Sequence, residues 1–164
     1  MSFDPVWSPE SRAIILGTWP SPKSWEQGFF YGHPRNRFWP LLAELTASPV
    51  PQSIPEKKEL ILRNQLALWD VLESCTIQGA ADSTIRNPVP TALAELLPKT
   101  RIEAVFCNGS KAFELYQKFL YVQTGLPAVR LPSTSPANAA FSLDRLKQEW
   151  GAALGPYLNS PIGQ

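Results

Sequence analysis

Hydrophobic and polar positions divide the chain into short apolar runs and longer amphipathic stretches. Four apolar runs have the length of buried strands and end near turn residues: Ala13–Gly17, Leu66–Val71, Ile102–Cys107 and Ala128–Leu131. Apolar residues at helical spacing, or capping signals, predict helices over Phe38–Ala47, Ser53–Leu66, Thr91–Leu97, Ser110–Leu120 and Phe141–Leu154. Strands that alternate with helices imply right-handed crossovers and a parallel sheet covered on both faces. We therefore expect an α/β fold, a three-layer α/β/α sandwich around a four-stranded parallel sheet.

Two local signals refine this prediction. The order Ser53-Ile54-Pro55-Glu56 is typical of a capping box, in which the serine and glutamate side chains satisfy each other's backbone N–H groups. Prolines are unusually frequent, with 17 in the chain, and each fixes φ and removes a backbone donor. They contribute to a stretch from Gly79 to Pro90 that we predict to be a loop. Stiff loops on a packed domain are common positions for binding sites.

Length and composition exclude several classes of protein. With 164 residues, 44% hydrophobic and 18% charged, the chain fits a single folded domain over residues 1–164. No apolar run approaches the roughly 18 residues of a membrane span, and the N-terminus lacks the features of a signal peptide. We therefore expect a cytoplasmic protein without membrane contact. The net charge of +1 argues against a surface that coats nucleic acid indiscriminately, but it allows a local basic strip.

Metal and disulfide chemistry have little support in the sequence. Cys75 and Cys107 lie in apolar settings, which favours small buried side chains over a disulfide framework. The chain has a single histidine, His33, and no close group of cysteine, histidine and carboxylate residues, so we expect no metal site and no cofactor. It also lacks the GxGxxG and GxxxxGK[ST] phosphate loops and the GxSxG nucleophile frame.

The segments that follow the predicted strands are rich in aromatic and amide side chains. In a parallel α/β sheet, ligands bind beyond the carboxyl ends of the strands. Seven aromatic residues fall within 21 positions after the first strand: Trp19, Trp25, Phe29, Phe30, Tyr31, Phe38 and Trp39. An aromatic face with amide hydrogen bonds suits a planar heterocycle. We expect most of these rings to lie in the core, with Phe30 and Tyr31 the best candidates for ligand contact.

Five segments together carry a specific resemblance. They are Gly17-Thr18-Trp19-Pro20-Ser21, Phe30-Tyr31-Gly32-His33-Pro34-Arg35-Asn36-Arg37-Phe38-Trp39, Ala67-Leu68-Trp69-Asp70-Val71, Asn108-Gly109 and Leu131-Pro132-Ser133-Thr134-Ser135-Pro136. With these segments in order, the chain resembles the hypoxanthine (deoxyinosine) DNA glycosylases of the uracil-DNA glycosylase superfamily, from about Ala13 to Trp150. The resemblance implies the fold of that superfamily, a base flipped out of DNA, and hydrolysis of its N-glycosidic bond to leave an abasic site. No lysine stands out as a Schiff-base nucleophile, so we expect a monofunctional enzyme.

The resemblance also implies a catalytic residue. In the uracil-excising members the first loop carries an acid or amide that holds the attacking water, where this chain has Thr18 and Trp19. Their last loop begins with a histidine, where this chain has Leu131. The hypoxanthine branch uses an asparagine in the downstream segment, which here is Asn36. An amide is a poor base, but its carbonyl oxygen can accept a hydrogen bond from water and orient it. The alternative for Asn36 is a turn-capping role.

Further site residues follow from the same resemblance. Base recognition is implied for Asn108, whose amide can accept from N1–H of hypoxanthine and donate to O6, the reverse of the adenine pattern. The alternative is a simple left-handed Asn-Gly turn. Further candidates for base binding are Phe30, Tyr31, Thr18 and Trp19. His33 is placed outside the catalytic set, and Asp70 either supports the site or caps a helix.

The last loop is the main candidate for DNA contact. Pro132 to Pro136 is expected to press into the duplex and bind phosphate, although without the resemblance a plain turn is preferred. The candidate DNA-binding residues are Ser21, Arg35, Arg37, Lys111, Ser133, Thr134 and Ser135.

We therefore predict a DNA repair glycosylase that removes hypoxanthine, acting as a monomer on DNA that contains deaminated bases. Two alternatives stay open. One is a uracil or mismatch glycosylase of the same superfamily, because uracil presents a similar N3–H and O4 pair. The other is a non-catalytic module that binds nucleotides or DNA.

Overall fold

A parallel sheet forms the centre of the computed structural model, which describes residues 3–76 and 86–158. In chain order the strands are β1 (Ala13–Gly17), β2 (Leu66–Asp70), β3 (Leu72–Thr76), β4 (Arg86–Pro90), β5 (Ala104–Asn108) and β6 (Ala128–Leu131). The α-helices are α1 (Pro22–Gln27), α2 (Phe38–Leu45), α3 (Ile54–Arg63), α4 (Leu93–Leu96), α5 (Ser110–Leu115), α6 (Tyr121–Thr124) and α7 (Leu143–Leu154). The central sheet has the order β2-β1-β5-β6, and each neighbouring pair in it is parallel.

Helices cover both faces of this sheet because its central strands are apolar on both sides. Every residue of β1 is buried. Ile15 belongs to a core cluster that includes Phe38 of α2 and Trp150 of α7, whereas Leu16 belongs to a second cluster that includes Tyr116. Successive residues of a strand face opposite sides of the sheet. The two clusters are therefore the two cores of a sandwich, and the predicted three-layer α/β/α architecture with four parallel strands is confirmed.

Side-chain caps define the starts of two predicted helices. Ser53 Oγ accepts from Glu56 N at 3.2 Å, and Glu56 Oε1 accepts from Ser53 N at 3.0 Å, so the predicted capping box is present. Helix α7 follows Ser142, whose hydroxyl accepts from Arg145 N at 3.2 Å. Helical spacing directs one face of α7 into the core, through Leu146, Trp150 and Leu154.

Three elements, α1, β3 and β4, are absent from the sequence prediction. Helix α1 was not predicted, because it has only six residues and no apolar periodicity. The predicted loop from Gly79 to Pro90 is wrong for β4, which pairs antiparallel with β3, while residues 79–85 lie outside the described residues. The prolines of β4 hid the strand. They are tolerated because β4 is an edge strand in a sheet of two strands.

The predicted helix over Ser110–Leu120 is interrupted rather than continuous. Helix α5 ends at Leu115, a π-helical turn covers Tyr116–Leu120, and α6 continues to Thr124. Tyr116 Oη donates to Leu126 O at 2.5 Å and lies 2.7 Å from Thr124 Oγ1, which ties the wide turn to the following segment. The remaining helix and strand boundaries differ from the prediction by only a few residues.

Cys107 is a free thiol and fully buried, as predicted. The side chain of Cys75 lies outside the described part of the chain. Within residues 3–76 and 86–158, no group of three or more histidine, cysteine and carboxylate residues could hold a metal ion. No helix in the same ranges is long and apolar enough to cross a membrane.

Trp150 links the helical layer to the loop after β6, and its replacement tests this link. Its indole Nε1 donates to Pro132 O at 2.9 Å, and its ring packs against Phe38 at 6.0 Å. Trp150→Phe should lower the free energy of unfolding by about 1–3 kcal/mol, because a half-buried carbonyl loses its donor and a small void forms. Urea unfolding measures this. The control is Trp25→Phe, in a side chain that is 41% exposed, with an expected change below about 0.5 kcal/mol. Equal losses of stability in Trp150→Phe and Trp25→Phe would contradict the conclusion that Trp150 links the helical layer to the loop after β6.

Candidate active site

The carboxyl ends of the parallel strands meet at one edge of the sheet. Gly17, the last residue of β1, pairs in register with Asp70 of β2, and the ends of β5 and β6 are paired in the same way. The segment before α2 joins this edge because Arg37 N donates to Thr134 O at 3.0 Å in the loop after β6. Residues that are distant in the sequence are therefore neighbours in the site.

Thr134 links the two asparagines that the sequence analysis singles out. The residue is fully buried, with 0% of its surface exposed. Its N–H donates to Asn108 Oδ1 at 3.0 Å and its Oγ1 accepts from Asn108 Nδ2 at 3.0 Å, while its hydroxyl donates to Asn36 Oδ1 at 2.8 Å. We call these three residues the amide–threonine network. The prediction that the Thr134 hydroxyl binds phosphate is corrected, because that hydroxyl is buried and bonded within the protein.

The orientation of the Asn36 amide is fixed from two sides. Asn36 Oδ1 accepts from Phe38 N at 3.0 Å, at the start of α2, as well as from Thr134. A carbonyl oxygen has two lone pairs, so both are used. Among the described residues Asn36 Nδ2 has no hydrogen-bond partner, and it is the group that this amide can offer to a ligand. The expectation that the carbonyl oxygen accepts from water is corrected, and the capping alternative is present in the structure.

Asn108 keeps part of its hydrogen-bonding capacity. Its contacts with Thr134 use one Oδ1 lone pair and one Nδ2 hydrogen, which leaves one acceptor and one donor. The next residue, Gly109, has a φ of +98°, and a Cβ there would lie 3.2 Å from Ser133 Cβ. The turn therefore requires glycine, and it also brings the end of β5 against the last loop.

Arg37 has a structural position rather than the predicted DNA contact. Its guanidinium donates to Ser135 O at 2.9 Å, to Asn138 O at 3.0 Å, and to Phe141 O. These three carbonyls belong to the loop between β6 and α7. The Arg37 guanidinium could contact a phosphate only by breaking its hydrogen bonds to these three carbonyls. The prediction that Arg37 binds DNA is therefore corrected. Its role is to hold the loop against the start of α2.

Asp70 and Tyr31 place two unpaired oxygens beside Gly17. A Cβ at Gly17 would lie 2.7 Å from Asp70 Oδ1 and 2.9 Å from Tyr31 Oη, so only glycine leaves room for both. Asp70 Oδ2 and Tyr31 Oη are buried and have no hydrogen-bond partner. A buried polar group without a partner costs about 1–3 kcal/mol, and such groups are concentrated at functional sites.

Burial determines the ionisation of both groups. It raises the pKa of Asp70 to about 7. Burial and then the nearby Asp70 carboxyl raise the pKa of Tyr31 far above its usual value, and the approaching Asn108 amide opposes this only in part. Asp70 ends β2 and begins no helix, so the alternative of a helix cap is wrong. The sequence signal for Asp70 is a carboxylate at the end of a wholly apolar strand.

The aromatic residues divide into core and site positions. Phe29, Phe30, Phe38 and Trp39 are buried, which confirms that most of the rings lie in the core. Phe30, only 2% exposed, packs edge-on against Phe29 and offers little surface to a base. Tyr31 has a φ of 55°, unusual for a residue with a side chain, and its ring stacks on Phe38 at 4.2 Å.

Thr18 and Trp19 continue the chain after Gly17, and both are half-buried. The Trp19 ring packs edge-on against Trp25 at 5.7 Å, and the Thr18 carbonyl accepts from Leu72 N at 3.2 Å. Their predicted contact with a base remains a prediction.

Three serines that we predicted to contact DNA form local bonds. Ser21 Oγ accepts from Ser24 N at 3.2 Å and caps α1. Ser133 Oγ accepts from Ser135 N at 3.1 Å, and Ser135 Oγ accepts from Ala137 N at 3.1 Å. Because a hydroxyl that accepts one bond can still donate another, Ser133 and Ser135 remain able to donate to a phosphate.

Arg35 and Lys111 are the basic candidates. Arg35 is exposed, and its backbone N–H donates to His33 Nδ1 at 3.1 Å, so His33 stabilises a turn. The Lys111 ammonium lies 4.0 Å from the Glu114 carboxylate on the exposed side of α5, a pair of little energetic weight. Both cations can therefore turn toward a phosphate.

Comparison with known proteins gives this site its context. The family model of the uracil DNA glycosylase superfamily matches residues 5–154. This chain belongs to the uracil DNA glycosylase superfamily. A hypoxanthine DNA glycosylase from Methanosarcina acetivorans is 34% identical over 154 residues, covering 92% of this chain and 94% of that protein. A second hypoxanthine DNA glycosylase, from Methanosarcina barkeri, is 32% identical over 156 residues, covering 92% and 95%.

A solved structure is similar to this chain in both fold and sequence. The solution NMR structure of a Methanosarcina acetivorans protein superposes with a TM-score of 0.77 at 29% identity. The superposition covers 90% of this chain and 91% of that one. The chain is thus a DNA glycosylase, a hydrolase that acts on N-glycosidic bonds in DNA.

The amide–threonine network can be tested in this glycosylase by removing one oxygen. Thr134→Val keeps the shape of the side chain but leaves Asn36 Oδ1 and Asn108 Nδ2 without the hydroxyl. It should lower the free energy of unfolding in urea by about 1–3 kcal/mol. Thr134→Ser is the matched control, because it keeps the hydroxyl and loses only a methyl group, and it should remain clearly more stable than Thr134→Val. The network would be refuted as a stabilising contact if the serine variant were as unstable as the valine variant.

Proposed function

We propose that this glycosylase removes hypoxanthine from deoxyinosine in DNA and leaves an abasic site. The supporting observation is that Thr134 fixes the Asn108 amide in one orientation while leaving it one donor and one acceptor. Both Methanosarcina relatives are named hypoxanthine DNA glycosylases, which supports the same substrate class. We further propose that the chain acts as a single domain, as a cytoplasmic monomer whose partner is DNA that contains deaminated bases.

The fixed amide explains how deaminated bases are distinguished from adenine. Hypoxanthine presents an N1–H donor and an O6 acceptor, which match the free acceptor and donor of Asn108. Adenine presents the reverse order, so the amide would have to rotate by half a turn to pair with it. Rotation would place Nδ2 against the Thr134 N–H, donor against donor, and would break two hydrogen bonds. Adenine is therefore rejected because pairing with it would break the hydrogen bonds between Asn108 and Thr134, which the base itself does not contact.

Asn36 acts as the catalytic residue in this proposal. Cleavage of an N-glycosidic bond passes through an oxocarbenium-like sugar, so the attacking water needs positioning more than a strong base. Asn36 Nδ2 donates to the water oxygen, which keeps a lone pair for attack on C1′. The bonds from Phe38 N and Thr134 Oγ1 to Asn36 Oδ1 hold the amide in place. The C1′–N9 electron pair goes to the base, and the water proton is released to solvent.

The surrounding residues supply DNA contact and base stacking. Ser133 and Ser135 donate to phosphate from the last loop, which Arg37 holds rigidly through its carbonyls. Arg35 and Lys111 add positive charge at the edges of the site, in keeping with a chain whose net charge is only +1. Tyr31 stacks on the base beside its contact with Phe38.

Uracil is the second candidate substrate, because its N3–H and O4 can pair with Asn108 in the same way. Single-turnover excision separates the candidates. Duplexes with one deoxyinosine, one deoxyuridine or no lesion are incubated with enzyme, and alkali then cleaves at abasic sites. We expect cleavage at deoxyinosine, slower cleavage at deoxyuridine, and none at adenine. A protein that binds these duplexes but cleaves none would contradict the proposal.

Two substitutions of Asn36 test its proposed catalytic role in the same excision assay. Asn36→Ala removes the amide, whereas Asn36→Asp keeps the acceptors for Phe38 N and Thr134 Oγ1 and removes only the Nδ2 donors. Both should lower deoxyinosine excision by about 10²-fold. Asn36→Asp should unfold at nearly the parent temperature, because an aspartate oxygen can accept from Phe38 N and Thr134 Oγ1 as the asparagine oxygen does. Parent activity in Asn36→Asp would show that the donor group is not used.

A further inference from the structure

Two polar groups beside the amide–threonine network have no part in the reaction described above. Asp70 is 3% exposed, and its Oδ2 has no hydrogen-bond partner; Tyr31 Oη is buried and unpaired as well. Among the described residues, the only other buried side-chain nitrogen or oxygen without a hydrogen-bond partner is Arg37 Nε. No ion pair among those residues involves Asp70. A carboxyl kept buried and unpaired at a strand end is a candidate for ligand chemistry.

The order of the strands places Asp70 beside the proposed base reader. Strand β1 lies between β2, which ends in Asp70, and β5, which ends in Asn108. The β1 terminus is Gly17, and the space that a Cβ would fill there is bordered by Asp70 Oδ1 and Tyr31 Oη. A purine that pairs through N1–H and O6 with Asn108 presents N7 on its adjacent edge, beside O6. Asp70 lies across β1 from Asn108, at the end of the neighbouring strand.

We propose that Asp70, held in its protonated form beside Tyr31 Oη, donates a proton to N7 of the departing hypoxanthine. This inference rests on the proposed function, since it takes deoxyinosine as the substrate. The C1′–N9 bond breaks and its electron pair moves into the base, while the Asp70 O–H proton moves to N7, so hypoxanthine leaves as a neutral molecule. The water oxygen bonds to C1′, and the proton that water loses returns through solvent to the Asp70 carboxylate. One water is consumed and no other reactant is needed.

The surroundings keep most of the carboxyl protonated below about pH 7. Burial raises the pKa of Asp70 to about 7. The titratable group that faces it is Tyr31, from the segment before α2, and Cys107 of β5 interacts in turn with Tyr31. Burial raises the pKa of both, to about 12 for Cys107, so both stay neutral when Asp70 titrates. Asn108, from β5, is uncharged. Excision should therefore fall as the pH rises above about 7, because the ionised carboxylate has no proton to give.

A cycle of two enzymes and two substrates tests this step. Parent protein and Asp70→Asn are each assayed on deoxyinosine and on 7-deazadeoxyinosine, in which a C–H group replaces N7. Asp70→Asn should excise hypoxanthine about 10²-fold more slowly at pH 6 and lose the fall in rate above pH 7. On the 7-deaza substrate the two enzymes should agree within about threefold, because the acceptor is already absent. The intrinsic effect of the 7-deaza change on the leaving group is common to both enzymes and cancels in the cycle.

Two controls separate this role from a structural one. Asp144→Asn makes the same chemical change at an exposed residue of α7 and should leave excision and its pH profile unchanged. Thermal unfolding of Asp70→Asn provides a readout besides activity. The raised folded-state pKa means that the ionised carboxylate destabilises the fold increasingly from about pH 4 to pH 7. Asp70→Asn should therefore unfold at a higher temperature than the parent at pH 8, with the difference disappearing near pH 4.

Several results would overturn the proposal. Equal fold-losses of Asp70→Asn on both substrates, a parent pH profile that is flat from pH 6 to 8, or parent activity in Asp70→Asn would each exclude proton donation to N7. If the parent protein excised no hypoxanthine, the proposed function would fail and the role of Asp70 would fail with it. Excision by the parent with no effect of Asp70→Asn would overturn only the role of Asp70.

Discussion

The hydroxyl of Thr134 lies between two amides from distant parts of the chain, and its direction is fixed because it donates to one and accepts from the other. This buried contact requires the last loop to keep its backbone in place. Trp150 holds the start of that loop through Pro132 O, and Arg37 holds its later carbonyls. The site therefore depends on the packing of α7 and α2 against the sheet, which positions both anchors.

The same edge of the sheet contains one group of polar side chains that is ordered by mutual hydrogen bonds and one pair that is left without partners. The bonds among Asn36, Thr134 and Asn108 give two neutral amides a single orientation, which suits discrimination between bases. Beside them, Asp70 Oδ2 and Tyr31 Oη remain unpaired, and Tyr31 adopts a left-handed backbone conformation. Such features lower stability, and they are retained most often where a ligand supplies the missing contact. Gly17 makes room for Asp70 Oδ1 and Tyr31 Oη.

Hydrophobic periodicity was sufficient to predict the four parallel strands and their helical layers, and the spacing of Ser53 and Glu56 predicted the capping box of α3. It could not predict β4, because a proline-containing strand in a two-stranded sheet has no apolar face to reveal it. The motifs identified Asn36 and Asn108, but not the bonds that decide which atoms they offer. Those bonds come from Thr134, which lies far away in the sequence, so the direction of the Asn36 amide could only be seen in three dimensions. Arg37 shows the same limit: its charge suggested phosphate, whereas the fold directs its guanidinium to loop carbonyls.

The central claim is that Thr134 fixes the Asn108 amide so that its remaining donor and acceptor pair with a flipped deaminated base. A crystal structure of the protein with duplex DNA that contains a non-hydrolysable deoxyinosine analogue tests it most directly. The account predicts that Asn108 Oδ1 accepts from N1–H and Nδ2 donates to O6, while Thr134 keeps its bonds to both asparagines. A flipped base that contacts neither atom of Asn108, or a Thr134 side chain that has left the two amides, would contradict it.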